Sequence, residues 1–329
     1  MLAAALQGVF RALDSGPLKA WYVETAQAHD PATGVEPTLA HAGTVLGVAI
    51  AAGACASGGL VAWHPVGSHS PLLLPFWLAV VANLVHLSLV ALLVRERPSA
   101  KSEPGRTWRS VSTAPGIVVD GIRTLRTSQV LRSLVLVEVF WSVAMIAFET
   151  LNPVRLAEVV GGVEQAGALI GPVSAAAWGL FAGGAMAAGL ASTWVGVGWA
   201  ALLARLLNGA FVVLMGLAQG PVGLITAFLL SYTMHGAAGP MHSALLHRQA
   251  GPGNRTTVLS MNSMVAGGTY SVALLILAPL AEQTSTATAI IVDGAFSILG
   301  AALYIPAIRV ERSAEDVSPP RAESRVSGG

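Results

Sequence analysis

Residues 133–152 read SLVLVEVFWSVAMIAFETLN. A helix needs roughly 20 mostly apolar residues to cross about 30 Å of hydrocarbon, and this stretch meets that length with only Glu138 and Glu149 charged. The same pattern recurs along the chain and yields nine candidate spans: 1–21, 42–63, 71–94, 133–152, 166–190, 195–217, 221–245, 257–281 and 286–308. Composition agrees. Of 329 residues, 54% are hydrophobic and 11% charged, and the mean hydropathy is +0.66. A soluble domain carries about 25% charged residues. These values exclude a soluble globular enzyme, a nucleic-acid binder and a disordered chain, and point to an all-α, polytopic membrane helix bundle. The single cysteine, Cys55, excludes a disulfide framework and any multi-thiolate metal site.

The one long polar insertion, 95–132, carries eight of the chain's 18 Lys and Arg residues, and the pattern around Val118–Leu125 predicts a short surface helix. Basic residues mark the cytoplasmic side of a membrane protein. With 95–132 inside, alternate connectors are inside as well: the one holding Lys19, the 245–257 segment with Arg248 and Arg255, and the tail with Arg309, Arg312, Arg321 and Arg325. Only Arg155 falls on the opposite side. The C-terminus is therefore expected inside, and the tail from Arg309 is expected to be disordered. The organisation expected is an N-terminal group of three spans (1–94), a basic inter-bundle loop (95–132), a six-helix bundle (133–308) and a tail (309–329). Arg makes up nearly all of the basic residues in an Ala- and Gly-rich chain, which fits a high-GC bacterial genome and hence a bacterial cytoplasmic membrane.

Short repeats relate the two groups of spans. Residues 15–20 read SGPLKA and 238–243 read AGPMHS; each is followed by a span opening Thr-Val-Leu, at 44–46 and 257–259. Span one thus matches span seven, an offset of six helices. Repeats of this kind are common in transporters. The sequence QGVFRALDSG at 7–16 resembles the fourth span of the major facilitator superfamily, and RTTVLS at 255–260 resembles the start of its eleventh. GACASGG at 53–59 partly resembles the glycine-rich antiporter motif of the fifth span, with Ala54 where that motif has proline. The resemblance covers essentially the whole chain as spans four to twelve of a twelve-span fold with a two-bundle pseudo-repeat, in the manner of bacterial efflux-like members. It implies that the chain begins partway through a larger protein. The direct opening of Met1 into an apolar stretch, with Arg11 and Asp14 in mid-helix, points the same way.

Ionisable groups at the centre of a membrane helix cost at least about 2.5 kcal/mol each and normally face protein or water. Arg11 and Asp14 share a face of span one at i, i+3 spacing. Glu138 and Glu149 are eleven apart on span four, with Trp141 and Met145 on the same stripe; His235 and His242 are seven apart on span seven. The resemblance implies that these three spans line a central cavity. Glu138 is the deeper carboxylate and the candidate for proton exchange, whereas Glu149 and His242 lie nearer water. His235 is deeper and is also readable as a neutral core histidine. Arg205 and Asp293 are in mid-span with no evident partner. Gly53, Gly58, Gly59, Gly183, Gly184, Gly267 and Gly268 read as close helix contacts, and the pairs Gly16-Pro17 and Gly239-Pro240 as kinks.

The reading this supports is a secondary transporter moving a small organic solute by alternating access, as proton-coupled efflux. It is no enzyme, needs no cofactor or metal, binds no nucleic acid, and works as a monomer in the bilayer. His64 and His69 alone make no zinc site, Asn254 heads a glycosylation pattern on the cytoplasmic side, and no phosphate-binding loop of the nucleotide-hydrolase type is present. Two alternatives stand beside it. One is an intramembrane hydrolase using Ser57 with His235 or His242; the other is an inactive transporter remnant.

Overall fold

The structure, a computed structural model, describes residues 36–67, 70–93, 116, 119, 122–123, 125–250 and 255–317; among them there is no strand. Ten α-helices follow in order: α1 Glu36–Trp63, α2 Leu73–Leu93, α3 Gln129–Ile146, α4 Asn152–Val160, α5 Val163–Val195, α6 Val197–Leu217, α7 Pro221–Gln249, α8 Arg255–Gln283, α9 Thr286–Gly300 and α10 Ile305–Val317. A π-helical turn, Ala147–Leu151, joins α3 to α4, and a 3-10 turn, Ala301–Tyr304, joins α9 to α10.

Among the described residues, seven stretches are long and apolar enough to cross a membrane: Leu73–Leu93, Gln129–Val160, Val163–Val195, Val197–Leu217, Pro221–Gln249, Val258–Gln283 and Thr286–Ser313. The expected span at 42–63 lies within the 28-residue helix α1, Glu36–Trp63, and the one at 1–21 lies outside the described residues, as do Arg11, Asp14, Gly16 and Pro17. Outward-facing side chains such as Phe76, Leu92, Met186, Leu190 and Leu275 are exposed, and α2 buries none of its side chains. In water so large an apolar surface drives association. In a bilayer it faces acyl chains. The chain is an all-helical, multi-pass membrane protein.

Local chemistry places the breaks. Ser128 caps α3 by accepting from the Leu131 N–H at 3.2 Å, and Ser285 caps α9 by accepting from the Thr288 N–H at 3.0 Å; a side-chain acceptor there satisfies one of the free amides of a first turn. The reversal between α5 and α6 is made by Gly196 alone, at φ 86°, a left-handed conformation that glycine adopts without steric cost. Span four does not stop at Asn152 as expected, because the π turn carries the helix past Pro153. Proline at 153 has no N–H for the Glu149 carbonyl and would clash with it in a regular helix, and one π turn relieves the conflict. The tail also departs from expectation: α10 stays helical to Val317, with Ala307 and Ile308 buried. Helical residues lie between 116 and 127, where the surface helix was expected; most of the remaining basic loop is outside the described residues.

The packing runs α7 against α6 and α5, α9 against α6 and α3, and α8 against α3, while α1 packs on α5. Close crossings are set by glycine. A Cβ on Gly184 of α5 would strike the Thr233 carbonyl of α7, and one on Gly236 of α7 would strike the Phe181 carbonyl of α5. At the α1–α5 crossing, a Cβ on Gly58 would lie 2.8 Å from Pro172 Cδ and 2.9 Å from the Ala168 carbonyl, the oxygen that Pro172 leaves without its helical donor. Gly53, Gly59, Gly183, Gly239, Gly267 and Gly268 have no atom of the described residues within 4 Å of a Cβ. Pro240 sits inside an uninterrupted α7.

The connectors sort by end. At one end Arg155 of α4 pairs with Glu158 at 2.9 Å and donates to the Ala218 carbonyl at 2.9 Å, while Thr286 at the start of α9 donates to Glu158 at 2.5 Å. At the other end lie Arg132, Arg248, Arg309 and Arg312. By the distribution of positive charge, the second end is the one expected to be the inner end.

Candidate functional site

Two apolar clusters fill the bundle, one towards each end, and the polar side chains fall between them on several helices. On α3 the order is Val137, then Glu138 and Ser142, then Val143; on α6 it is Ala204, then Arg205 and Asn208, then Val212. On α9 it is Ile290, then Asp293 and Ser297, then Ala301. At 1.5 Å per residue, Glu138 is roughly 14 Å from the inner end of α3 and Arg205 roughly 12 Å from the inner end of α6. Both depths are near the middle of a hydrocarbon layer about 30 Å thick.

The centre of this layer is a hydrogen-bonded cluster. Glu138 is 4% exposed, His242 3%, Arg205 3% and Tyr304 0%. His242 Nε2 is 3.0 Å from Glu138 Oε1, and its Nδ1 is 2.9 Å from the Tyr304 hydroxyl. Asn262 of α8 donates from Nδ2 to Glu138 Oε1 at 3.2 Å, and its Oδ1 lies 3.3 Å from His242 Nε2. The Arg205 guanidinium lies over the Trp141 ring, 4.4 Å from its centroid, and acts electrostatically on Glu138, His235 and Tyr304.

One assignment of protons satisfies these contacts together. With Glu138 ionised, the neutral His242 donates from Nε2 to the carboxylate, and Tyr304 donates to Nδ1. Asn262 then bridges by donating to Glu138 and accepting from His242. Arg205 and Glu138 balance in charge, as buried charges require. A second proton has two places to go, the Glu138 carboxylate or His242 Nδ1, and each changes which neighbours donate. With the proton on Glu138, its bonds to His242 and Asn262 must be rearranged; with it on His242, the imidazolium pairs with the carboxylate and donates to Tyr304.

Around the cluster, Trp141 Nε1, Ser142 Oγ, Arg205 Nε and Nη1, Asn208 Oδ1 and His235 Nδ1 are buried without a hydrogen-bond partner among the described residues. Buried polar atoms are nearly always paired with protein or ordered water; Arg155 Nε and Asp293 Oδ1 also lack a partner among the described residues. His235 stacks on Trp141, with ring centroids 4.9 Å apart, and contacts the Phe148, Phe181 and Tyr232 rings. An aromatic wall thus adjoins the charged cluster.

The residues singled out from the sequence distribute unevenly. Glu138, Trp141, His235 and His242 come together. His242 is not hydrated but buried, with both ring nitrogens engaged. Glu149 is exposed, lies on the π turn, and acts electrostatically on Tyr232 of the aromatic wall. Arg205, left without a partner in sequence, is a central member. Asn262 and Tyr304 were missed; a polar residue in an apolar span was the available signal for Asn262, and nothing distinguished Tyr304 from an interfacial tyrosine. Asp293 is fully buried and accepts from the Ala147 N–H at 2.9 Å, at the first residue of the π turn. Ser57 makes no side-chain hydrogen bond with either histidine among the described residues, which also contain no group of three or more His, Cys, Asp or Glu placed to hold a metal. His69 lies outside them.

No protein-family model matches this chain, and no curated protein matches it.

Proposed function

We propose that the chain is a secondary transporter that moves a small organic solute across the membrane by alternating access and exchanges protons at Glu138 and His242, in the manner of the major facilitator superfamily that its sequence resembles. The observation that carries the reading is the buried Glu138–His242–Tyr304 relay, held at mid-membrane by three separate stretches of chain. Ionisable residues at that depth are costly and characteristically serve ion or solute pathways. A structural ion pair has no need of a bridging histidine with two protonation states, or of the unsatisfied donors beside it. The aromatic wall offers apolar and stacking surface to an amphipathic solute, and the Arg205 face gives it a charged neighbour. The crossing of α1 on α5 at Gly58 and Gly171 supplies a narrow contact about which two helix groups can rock.

In this mechanism the relay takes up a proton while the layer is open to one side and releases it to the other. The change in hydrogen-bond direction about His242 shifts α7 relative to α3 and α8, coupling proton occupancy to access. Bacterial efflux at the cytoplasmic membrane is the direction proposed. The test is solute-evoked proton movement. Purified full-length chain is sealed into liposomes with an internal pH-sensitive dye, and a panel of amphipathic organic cations, anions and zwitterions is added in turn. At least one class should move the internal pH in protein-containing liposomes only. A pH trace indistinguishable from empty liposomes for every class, from folded and correctly inserted protein, contradicts the proposal.

A further inference from the structure

The inner end of the bundle holds a feature that transport does not use. A cavity of about 370 Å³ opens between the start of α6 and α10, lined by Val195, Trp199, Leu203, Ile308, Glu311 and Arg312 among others. Its chemistry is divided. Val195, Leu203 and Ile308 make one part apolar, while Glu311 and Arg312 stand at the other.

Glu311 does not make the groove acidic, because both its oxygens are occupied. Arg248 donates to Oε1 at 2.7 Å, and the Gly198 N–H at the start of α6 donates to Oε2 at 2.7 Å. Arg312 differs. Its guanidinium rests 5.5 Å from the centroid of the Trp199 ring and has no carboxylate partner among the described residues. Arg309, one turn earlier on α10, does not line the cavity but is exposed and likewise without an acidic partner there. The groove therefore carries a surplus of positive charge beside an apolar wall. Trp199 lines it, Trp194 next to the lining residue Val195 is exposed, and tryptophan concentrates at the membrane–water boundary. Below it, Leu203, Leu206 and Leu207 continue the exposed apolar face of α6 towards the bilayer centre.

We propose that this groove is a binding site for an anionic phospholipid of the inner leaflet, with the phosphate between Arg309 and Arg312 and the upper acyl chains along Leu203. Charge complementarity and amphipathic division both point to this occupant: a membrane-facing basic pocket on the cytoplasmic side suits an acidic headgroup, and the volume is within the range of small-ligand sites. A free phosphate has the same charge but no use for the apolar wall. The inference is independent of the transport reading.

The test uses the full chain, purified, exposed to equal amounts of phosphatidylglycerol and phosphatidylcholine in mild detergent, with retained lipid measured by native mass spectrometry. Phosphatidylglycerol should be retained in preference, and each of Arg309→Gln and Arg312→Gln should weaken its retention about fivefold. Leu203→Trp keeps every charge but fills the apolar part, and should weaken retention as well; it carries the test should an arginine variant fail to fold. Inorganic phosphate should not displace the lipid. Equal retention of the two lipids, unchanged retention in folded Arg312→Gln and Leu203→Trp, or displacement by inorganic phosphate overturns the proposal.

Discussion

The crossing of α5 on α7 allows a prediction from two adjacent glycines. Gly183 and Gly184 have the same backbone environment in mid-helix, yet only Gly184 faces α7. A Cβ at Gly184 would fall on the Thr233 carbonyl oxygen, 2.9 Å from its carbon and 3.2 Å from Thr233 Cγ2, inside the 3.4 Å at which ordinary contact begins. The obstacle is backbone, so relief requires the two helices to part by about 1 Å, against a natural interaxial distance of 8–10 Å. Overpacking of this kind costs about 1–3 kcal/mol, and the loss of close Cα–H···O contact adds about 0.5–1 kcal/mol. At Gly183 nothing stands within 4 Å, and alanine gains up to about 1 kcal/mol of helix propensity over glycine. Gly183→Ala and Gly184→Ala should therefore differ by about 2–4 kcal/mol, with Gly184→Ala the less stable. Thermal unfolding of each full-length variant in one detergent, followed by circular dichroism, reads the difference. Equal melting curves for the two would refute the crossing. Gly184→Ala combined with Gly236→Ala should cost less than the sum of the two, because one separation of the helices relieves both clashes.

Arg205→Met removes the cation that balances buried Glu138 and should destabilise the bundle by about 3–5 kcal/mol; adding Glu138→Gln should recover much of the loss in the same unfolding assay. Asp293→Leu strips the acceptor from the buried Ala147 amide at a cost of about 1–3 kcal/mol, whereas Asp293→Asn retains an acceptor and should cost less. Hydrogen exchange at residues 143–151 should rise in the leucine variant and stay near wild type in the asparagine one. For topology, an impermeant maleimide applied to intact cells carrying Cys55→Ala should label Gln219→Cys and spare Ser313→Cys; labelling of both reverses one of the two ends.

The membrane bundle is legible in sequence because its cause is local: twenty apolar residues with few charges can be counted without knowing their neighbours. Glu138, Trp141, His235 and His242 are legible for a related reason, since polar residues in hydrocarbon stand out against their own helix. What is lost is whatever depends on phase and partners. The π turn that accommodates Pro153, with Asp293 of another helix accepting from the Ala147 N–H, lies beyond any local pattern. Arg205 is visible as a mid-span charge, but its burial over Trp141 and its proximity to Glu138 come from the packing of α6 and α3 with α7 and α9. The helical extension to Val317 depends on Glu311 meeting Arg248 and the first turn of α6, three distant segments that no local pattern joins. Tyr304 and Asn262 are ordinary residues for their positions until His242 is placed between them.

The central claim is that Glu138 exchanges the proton that drives transport, and one substitution separates that role from a structural one. Glu138→Gln keeps the size of the side chain and an acceptor for His242 but cannot release a proton. In sealed vesicles with an imposed pH gradient, a solute from the panel that wild type accumulates should no longer be accumulated by Glu138→Gln, while its exchange across the membrane down its own gradient continues. Accumulation by Glu138→Gln equal to wild type across the pH range would contradict the account and place proton exchange elsewhere in the chain.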